Sequence, residues 1–259
     1  MFAENLRQKL IVLSKRYAVK HETPSCKSEK GVVVFKRYSD GLGNFLNSSY
    51  KNILSKESWK KRLMKPHAFF PVNSEIHELD SCNSSDALLM NIFCNPELNK
   101  WKSLKELLKL PAPYEPEFGL KAKVKKNGKG DDTEIDMKIN NVIFEAKLTE
   151  PDFTKKEKAI VESYDKFAEI FNKSSLDQKN KFYMNYQLIR NILAAYQHNF
   201  SFCLLCDGRR PDLVREFYKT VRCIKEQSLR SRCNIIFWQE IAMNVGKELH
   251  DFLSEKYGF

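Results

Sequence analysis

"TEIDMKINNVIFEAKLTE", residues 133–150, holds two short apolar runs, and each run carries an acidic residue. The alternation of apolar and polar residues predicts two neighbouring β-strands, over residues 133–139 and 142–148. Only Asn140 and Asn141 separate them, and an Asn-Asn pair tolerates the positive φ angles of a two-residue type I′ turn. The stretch therefore predicts an antiparallel hairpin.

This turn sets which residues of the hairpin face one another. With two residues in the turn, Asp136 lies opposite Glu145, and Glu134 lies opposite Lys147. Because side chains alternate along a strand, Asp136, Glu145 and Lys147 share one face. A buried opposite face is predicted for the apolar neighbours, which are Ile135, Met137, Phe144, Ala146 and Leu148.

The two acids on the shared face pose an electrostatic problem. The Cβ atoms of directly opposed residues are about 5 Å apart, so two carboxylates there repel each other unless a cation lies between them. Lys147 lacks the reach to neutralise both acids while it also meets Glu134, so a divalent cation that prefers oxygen ligands is the better explanation. On this reasoning, removing the charge of Glu145 slightly stabilises the metal-free protein.

The alternative is a solvent-facing hairpin side on which Glu134, Lys138 and Lys147 form surface ion pairs, each worth at most about 1 kcal/mol. An isolated match to an acid followed by Glu-x-Lys is common in unrelated sequences. Three features favour a functional site here: both strands are predicted, the hairpin aligns the acids, and an α/β pattern with a basic surplus surrounds them.

The rest of the chain predicts an α/β order around this hairpin. A strand candidate at Phe118–Val124 precedes it, which makes an antiparallel meander of three strands. The other predicted elements are helices from Ser84 or Ser85 and over 102–110, helical regions 154–172 and 177–197, strands 200–206 and 234–238, and helices 211–228 and 239–256. We expect a mixed central sheet with helices on both faces.

Charge and composition narrow the class of protein. The 259 residues carry a formal net charge of +11 with a sequence pI near 9.2, and a surplus of this size favours a polyanionic partner. Seven cysteines at uneven spacing fit reduced thiols better than a disulfide framework. The opening residues resemble neither a signal peptide nor a membrane span, so we expect a cytoplasmic protein.

Other kinds of site lack support. The two thiols of "CLLC", residues 203–206, point to opposite faces of a predicted strand, and no second cysteine pair follows at ligand spacing. His77 next to Glu78 has no HExxH partner, and the chain contains neither a GxGxxG motif nor a Walker loop. The sequence thus disfavours a zinc or iron–sulfur site, histidine catalysis and nucleotide cofactors.

The acids and the lysine of the hairpin carry a resemblance to a known superfamily. "EID" at 134–136 followed by "EAK" at 145–147 resembles the PD-(D/E)XK nucleases, whose signature is an acid on one strand and an acid-x-lysine on the next. With "SSDALLMNIF" at 84–93 and "QLIRN" at 187–191, the chain is similar to a bacterial family of restriction endonucleases. The resemblance covers roughly residues 77–240 and leaves the first eighty residues outside it.

The resemblance implies a restriction-endonuclease-like core and Mg²⁺-dependent hydrolysis of phosphodiester bonds in DNA. Asp136, Glu145 and the backbone carbonyl of Ala146 would hold Mg²⁺, for which Mn²⁺ could substitute. Lys147 would orient or deprotonate the attacking water. A carboxylate pair suits Mg²⁺, because this ion keeps several waters when it binds to proteins, and a bound metal lowers the pKa of water.

Two further groups follow from the resemblance. Many members add an acidic ligand from the helix before the sheet or from the first strand, and the choices here are Asp86, Glu115 and Glu117, of which Glu117 is preferred. The superfamily also places a glutamine from a helix near the phosphate, so Gln187 and Arg190 are candidate substrate contacts. The alternative for that helix is a solvated polar stripe.

We therefore predict a cytoplasmic, metal-dependent endonuclease of duplex DNA with a restriction or defence role. Residues 1–80, with an apolar run at 31–35 and a turn region at 41–49, are expected to form an accessory or DNA-binding region, and residues 81–259 the nuclease domain. Two alternatives stay open: a repair or recombination nuclease for branched or broken DNA, and a nuclease-like protein that binds nucleic acid without cutting it. A homodimer is also considered.

Overall fold

The computed structural model describes residues 1–28, 31–36, 42–67, 70, 75–111 and 113–259. Gly41, at the start of the predicted turn region, lies outside the described residues. The chain forms two compact units, one from Met1–Tyr114 with Trp238–Phe259 and the other from Glu115–Phe237. The boundary between these units is not at residue 80. The expected functional division into residues 1–80 and 81–259 stays a prediction.

Helices and short strands make up both units. The helices are α1 (Phe2–Lys20), α2 (Asn47–Ser55), α3 (Glu57–Arg62), α4 (Ser85–Phe93), α5 (Lys102–Leu108), α6 (Lys158–Glu162), α7 (Phe167–Ile170), α8 (Tyr186–Gln197), α9 (Pro211–Val221), α10 (Gln227–Arg230), α11 (Trp238–Met243) and α12 (Lys247–Tyr257). The strands are β1 (Ser25–Lys27), β2 (Val33–Phe35), β3 (Glu117–Lys121), β4 (Lys125–Lys126), β5 (Lys129–Gly130), β6 (Glu134–Ile139), β7 (Val142–Ala146), β8 (Lys155–Glu157), β9 (Gln178–Lys179), β10 (Phe182–Met184), β11 (Ser201–Cys206) and β12 (Cys233–Phe237).

A five-stranded mixed sheet organises the second unit. Its strand order is β12-β11-β7-β6-β3. The neighbours β3, β6 and β7 pair antiparallel, whereas β7, β11 and β12 pair parallel. The predicted α/β fold, with a mixed sheet that contains an antiparallel meander, is confirmed.

The hairpin β6–β7 has the predicted register, because Met137 pairs with Phe144 and Ile139 pairs with Val142. The predicted type I′ turn is wrong: Asn140 has a φ of 51°, but Asn141 does not have a positive φ, and type I′ requires both. The ladder of paired residues ends at Met137 and Phe144, so Asp136 and Glu145 are not a backbone pair.

The predicted helical regions 154–172 and 177–197 are wrong over much of their length. Strand β8 opens the first region, and β9 and β10 occupy the start of the second. These three strands form a small antiparallel sheet in the order β8-β10-β9, so residues far apart in the sequence satisfy one another's backbone groups. Helix α8 therefore begins only at Tyr186.

Helix α8 packs on the central sheet next to β7 and β11. Its buried residues Leu188 and Ile192 belong to the same apolar core as Phe202 and Leu204 of β11. Ile143, two residues before Glu145 and on the same face of β7, belongs to this core too. The sheet face that carries Glu145 is therefore covered by α8.

In the first unit, the predicted helix start at Ser84 is confirmed, because the Ser84 hydroxyl accepts a hydrogen bond from the Ala87 amide at 3.1 Å. A fully buried lysine, Lys256 of α12, lies in the core of this unit. Its Nζ donates to the Asn44 carbonyl at 2.8 Å and lies 4.4 Å from the centre of the Phe35 ring. No helix of the described ranges is long and apolar enough to cross a membrane.

Candidate active site

The end of β7 brings together the residues that the hairpin pattern singles out. Glu145 is 3% exposed and Lys147 is 5% exposed, while Asp136 on β6 is half-buried. The site is therefore largely buried and is not the open hairpin face expected from the sequence. The physical reason is α8, whose apolar residues need the same sheet face.

Lys147 is held by polar and aromatic neighbours. Its Nζ lies 2.9 Å from Glu145 Oε1, donates to Gln187 Oε1 at 3.0 Å, and lies 5.8 Å from the centre of the Phe153 ring. Burial is the largest influence on the Lys147 pKa and lowers it, but the charges of Glu145, Glu150 and Asp136 together outweigh burial. The pKa of Lys147 is therefore raised above 10.5, and the side chain is an ammonium at neutral pH.

The two oxygens of Glu145 differ in their contacts. Oε2 accepts a hydrogen bond from Asn191 Nδ2 at 2.7 Å. Oε1 is buried and accepts no hydrogen bond of adequate geometry, so its 2.9 Å contact with Lys147 is ionic in character. The Lys147 ammonium is therefore the cation that compensates this buried oxygen in the structure.

Asp136 accepts a backbone hydrogen bond at the point where the pairing of β6 with β7 ends. The Ala146 amide would continue the ladder towards Ile135, because alternate pairs of an antiparallel hairpin exchange hydrogen bonds. It donates instead to Asp136 Oδ2 at 2.8 Å. This contact turns the Asp136 carboxylate towards the end of β7, the position of Glu145.

The expected contact of Lys147 with Glu134 is wrong. Glu134 is exposed and pairs across the sheet with Lys121 of β3, and Lys147 points to Glu145 instead. The sequence suggested that Lys147 could not neutralise the acids while it met Glu134. In the structure Lys147 does not meet Glu134, and it neutralises Glu145 in the absence of metal.

Helix α8 is positioned by the loop that follows β7. The amides of Tyr186 and Gln187 donate to the carbonyls of Thr154 and Phe153 at 3.1 and 3.0 Å. Gln187 and Asn191 are four residues apart, so they lie on one face of the helix and meet Lys147 and Glu145 respectively. The sequence indicated Gln187 but not the contact of Asn191 with Glu145. The four-residue spacing of Asn191 from Gln187 could have indicated it, because residues four apart share one helix face.

A family model describes the chain almost from end to end. The family of restriction endonucleases associating with ARP matches residues 14–258. The chain belongs to this family. The match includes most of the first eighty residues, which the sequence resemblance had left outside. No curated protein and no solved structure matches the chain.

In this member of the family, Arg190 is buried, with 2% of its surface exposed. Its guanidinium donates to the carbonyls of Thr133 and Glu134 and lies 3.4 Å from Asp131. These contacts tie α8 to the chain just before and at the start of β6. They favour a structural role for Arg190, and a direct contact with substrate stays a prediction.

Arg210 has a comparable structural role in the loop that follows Lys147. It is fully buried, pairs with Asp212 at 2.8 Å, and donates to the carbonyls of Leu148 and Pro151 at 3.1 and 3.4 Å. The loop that follows Lys147 is thereby held at two points. No feature of the sequence pattern had indicated this contact.

The candidates for a further acidic ligand lie in different surroundings. Glu117 forms an ion pair with Lys138 Nζ at 2.6 Å, and Glu115 is exposed. Asp86, in the first unit, is buried between Arg62 and Lys65 at 3.0 and 2.8 Å.

Among the described residues, no group of three or more His, Cys, Asp or Glu side chains could hold a metal ion. Two carboxylates and a backbone carbonyl still fit Mg²⁺, which commonly binds one or two protein carboxylates and keeps its waters. Asp136, which accepts the Ala146 amide, and Glu145 on β7 supply such a carboxylate pair.

Proposed function

We propose that the protein is a metal-dependent endonuclease that hydrolyses phosphodiester bonds of duplex DNA, with a restriction or defence role in the cytoplasm. The observation that carries this proposal is the buried pair of Glu145 and Lys147 beside Asp136 at the end of β7. Membership of a restriction endonuclease family and a net charge of +11 support DNA as the substrate. We assign the five-stranded sheet to a restriction-endonuclease-like core on the same grounds.

Asp136, Glu145 and the carbonyl of Ala146 would hold Mg²⁺ or Mn²⁺. When bound, the ion would activate water and offset the charge that develops on the phosphate. The waters that Mg²⁺ keeps make a third carboxylate unnecessary, and Glu117 is then free to keep its ion pair with Lys138.

Lys147 orients the attacking water and stabilises negative charge on the phosphate. Because the pKa of Lys147 is raised, its ammonium has no free electron pair to accept a proton at neutral pH. Of the two roles that the resemblance implies, orientation is therefore favoured over deprotonation. Gln187 holds the ammonium in place through its Oε1.

In the reaction, the oxygen of water forms a bond to phosphorus and one P–O ester bond breaks. The proton of the water passes to solvent, and the leaving oxygen takes up a proton to become a hydroxyl. The products are a phosphate monoester end and a hydroxyl end. Asn191 and the Ala146 amide keep the two carboxylates in place throughout, because they bind Glu145 and Asp136.

The family is described as associating with a partner called ARP. We propose that such a partner, or a second copy of the chain, assists the binding of DNA. A nuclease-like protein that does not cut is disfavoured, because the structure keeps Glu145 and Lys147 in contact at 2.9 Å. A repair nuclease shares the same chemistry and differs in the DNA that it cuts.

The test is cleavage of supercoiled, linear and branched DNA by purified protein with Mg²⁺ or EDTA. We expect cleavage only with Mg²⁺, and we expect Asp136→Asn and Lys147→Ala to abolish it while DNA binding persists. Glu134→Gln is the matched control, since it removes an exposed acid from the same strand. Full activity of either site variant would refute the proposal, and cleavage restricted to branched DNA would favour the repair nuclease.

A further inference from the structure

The small sheet of β8, β10 and β9 presents a basic outer surface. Tyr183 of β10 is 2% exposed and faces the core, so its neighbours Phe182 and Met184 point to the opposite side. Lys155 pairs with Met184 and Lys179 pairs with Phe182, which places both lysines on that outer side. We call the set formed by Lys155, Lys179, Lys181 and Phe182 the lysine face.

Two of the three ammonium groups of the lysine face lie near one ring. Lys155 Nζ lies 4.8 Å and Lys181 Nζ lies 5.5 Å from the centre of the half-buried Phe182 ring. Lys181 also forms an ion pair with Glu157 at 2.7 Å. Among the described residues, Lys155 and Lys179 have no carboxylate within ion-pair distance, so the face keeps a positive surplus.

The lysine face is tied to the candidate active site through one end of the sheet, where the start of β8 pairs with the end of β10. Strand β8 follows Thr154, whose carbonyl accepts the Tyr186 amide, and β10 leads into α8. Gln187, which binds Lys147, is five residues beyond Phe182. Five residues span at most about 18 Å, so Phe182 lies within that distance of the residue that holds Lys147.

A DNA strand presents several phosphates over such a distance. Successive phosphates of one strand rise about 3.4 Å along the helix axis, so a span of at most about 18 Å corresponds to no more than roughly five nucleotides. Lysines within this range can meet phosphates that flank the one being cut. Phe182 restrains two of the ammonium groups, which lowers the entropy lost when they bind.

We propose that the lysine face binds the phosphates of the DNA strand that flanks the scissile bond, within about five nucleotides of it. The inference rests on the proposed nuclease function and adds the surface that positions the substrate. If it is right, Lys155 and Lys179 contribute part of the DNA affinity and part of its dependence on salt.

The test measures binding of a short fluorescent duplex in EDTA, where no cleavage is expected, at several salt concentrations. Each phosphate contact contributes about 0.9 to the slope of log affinity against log salt, so Lys155→Ala/Lys179→Ala should reduce the slope by about 1.8. Affinity near 0.1 M salt should fall by roughly ten-fold or more for the same reason.

The matched control is Lys100→Ala/Lys247→Ala, which removes the same charge from lysines that already pair with Glu97 and Asp251. The control should change the slope little. An equal loss of slope in the control would overturn the inference, because the effect would then be one of net charge alone. The variant with glutamine at both face positions should repeat the alanine result, which guards against a local loss of strand structure.

The inference and the proposed function fail in different ways. If the wild type binds and cuts DNA but the face variants bind with an unchanged slope, the lysine face has another role and the nuclease proposal stands. If the wild type neither binds nor cuts DNA, the proposed function fails and the inference fails with it.

Discussion

Replacing Glu145 with glutamine should destabilise the metal-free protein. In the structure the Glu145 and Lys147 side chains are only 4% and 6% exposed, and their charged atoms are 2.9 Å apart. Glutamine keeps the shape of the side chain but removes the charge, so the Lys147 ammonium stays buried without its nearest counter-ion. The sequence reasoning, based on repulsion between Asp136 and Glu145, predicted the opposite sign.

The size of the effect follows from what remains around Lys147. Breaking a buried ion pair by removing one partner costs about 3–5 kcal/mol. Asp136 and Glu150 still act on Lys147, and the glutamine oxygen can still accept from Asn191. We therefore expect a loss of about 1–3 kcal/mol in the free energy of unfolding, because the charge is only partly uncompensated.

Urea denaturation near pH 7.5 in EDTA measures this loss. The pKa of Lys147 is raised in the folded state, so the stability from its charge is fully present below pH 10.5 and is lost as the pH rises through the folded-state pKa. The difference between wild type and variant should therefore be complete at pH 7.5 and shrink in strong alkali. Added Mg²⁺ should stabilise only the wild type, by binding to its native state.

Glu134→Gln is again the control, and its unfolding free energy should stay within about 0.5 kcal/mol of the wild type, as for most exposed positions. Equal or greater stability of Glu145→Gln in EDTA would refute the ionic contact with Lys147 and restore the repulsion argument.

Two other variants test neighbouring parts of the account. Asn191→Ala should lower the free energy of unfolding, measured with urea, by about 1.5–3 kcal/mol, because it removes a hydrogen bond to a charged group. It should also weaken divalent-ion binding, measured by calorimetry, while DNA affinity is kept. Burial lowers the pKa of Lys256 to about 7. Between pH 7 and 10.5 this lysine therefore holds its proton in the unfolded chain and loses it in the folded protein. The free energy of unfolding of the wild type then rises with pH, by up to about 1.4 kcal/mol per pH unit. Lys256→Met should lose this gain when unfolding is compared at pH 7.5 and 9.5, and an unchanged pH slope would contradict the burial of a neutral amine.

The part of the site that the sequence predicts is the part set by local geometry. A two-residue turn and strict alternation are enough to put Asp136 near Glu145, and the observed pairs Met137–Phe144 and Ile139–Val142 follow from them. The turn type was wrong because the chain satisfies the hairpin with a positive φ at Asn140 alone.

The part that the sequence does not predict depends on contacts between distant residues. Apolar spacing over residues 177–197 suits a helix, but pairing with β8 draws Phe182–Met184 into a strand and delays α8 until Tyr186. The partners of Glu145 and Lys147 follow from that start, because it sets which face of α8 meets β7. The pairing of Arg210 with the loop after Lys147 is also non-local and leaves no sequence pattern.

The central claim is that Asp136 and Glu145 share a divalent cation, and calorimetric titration of Mn²⁺ tests it most directly. Titrations would compare the wild type, Asp136→Asn and Glu134→Gln, each with and without uncut duplex DNA. The account predicts binding by the wild type and by Glu134→Gln, and loss of binding by Asp136→Asn. Absence of divalent-ion binding to the wild type, with DNA present as well as absent, or binding that Asp136→Asn leaves unchanged, would contradict it.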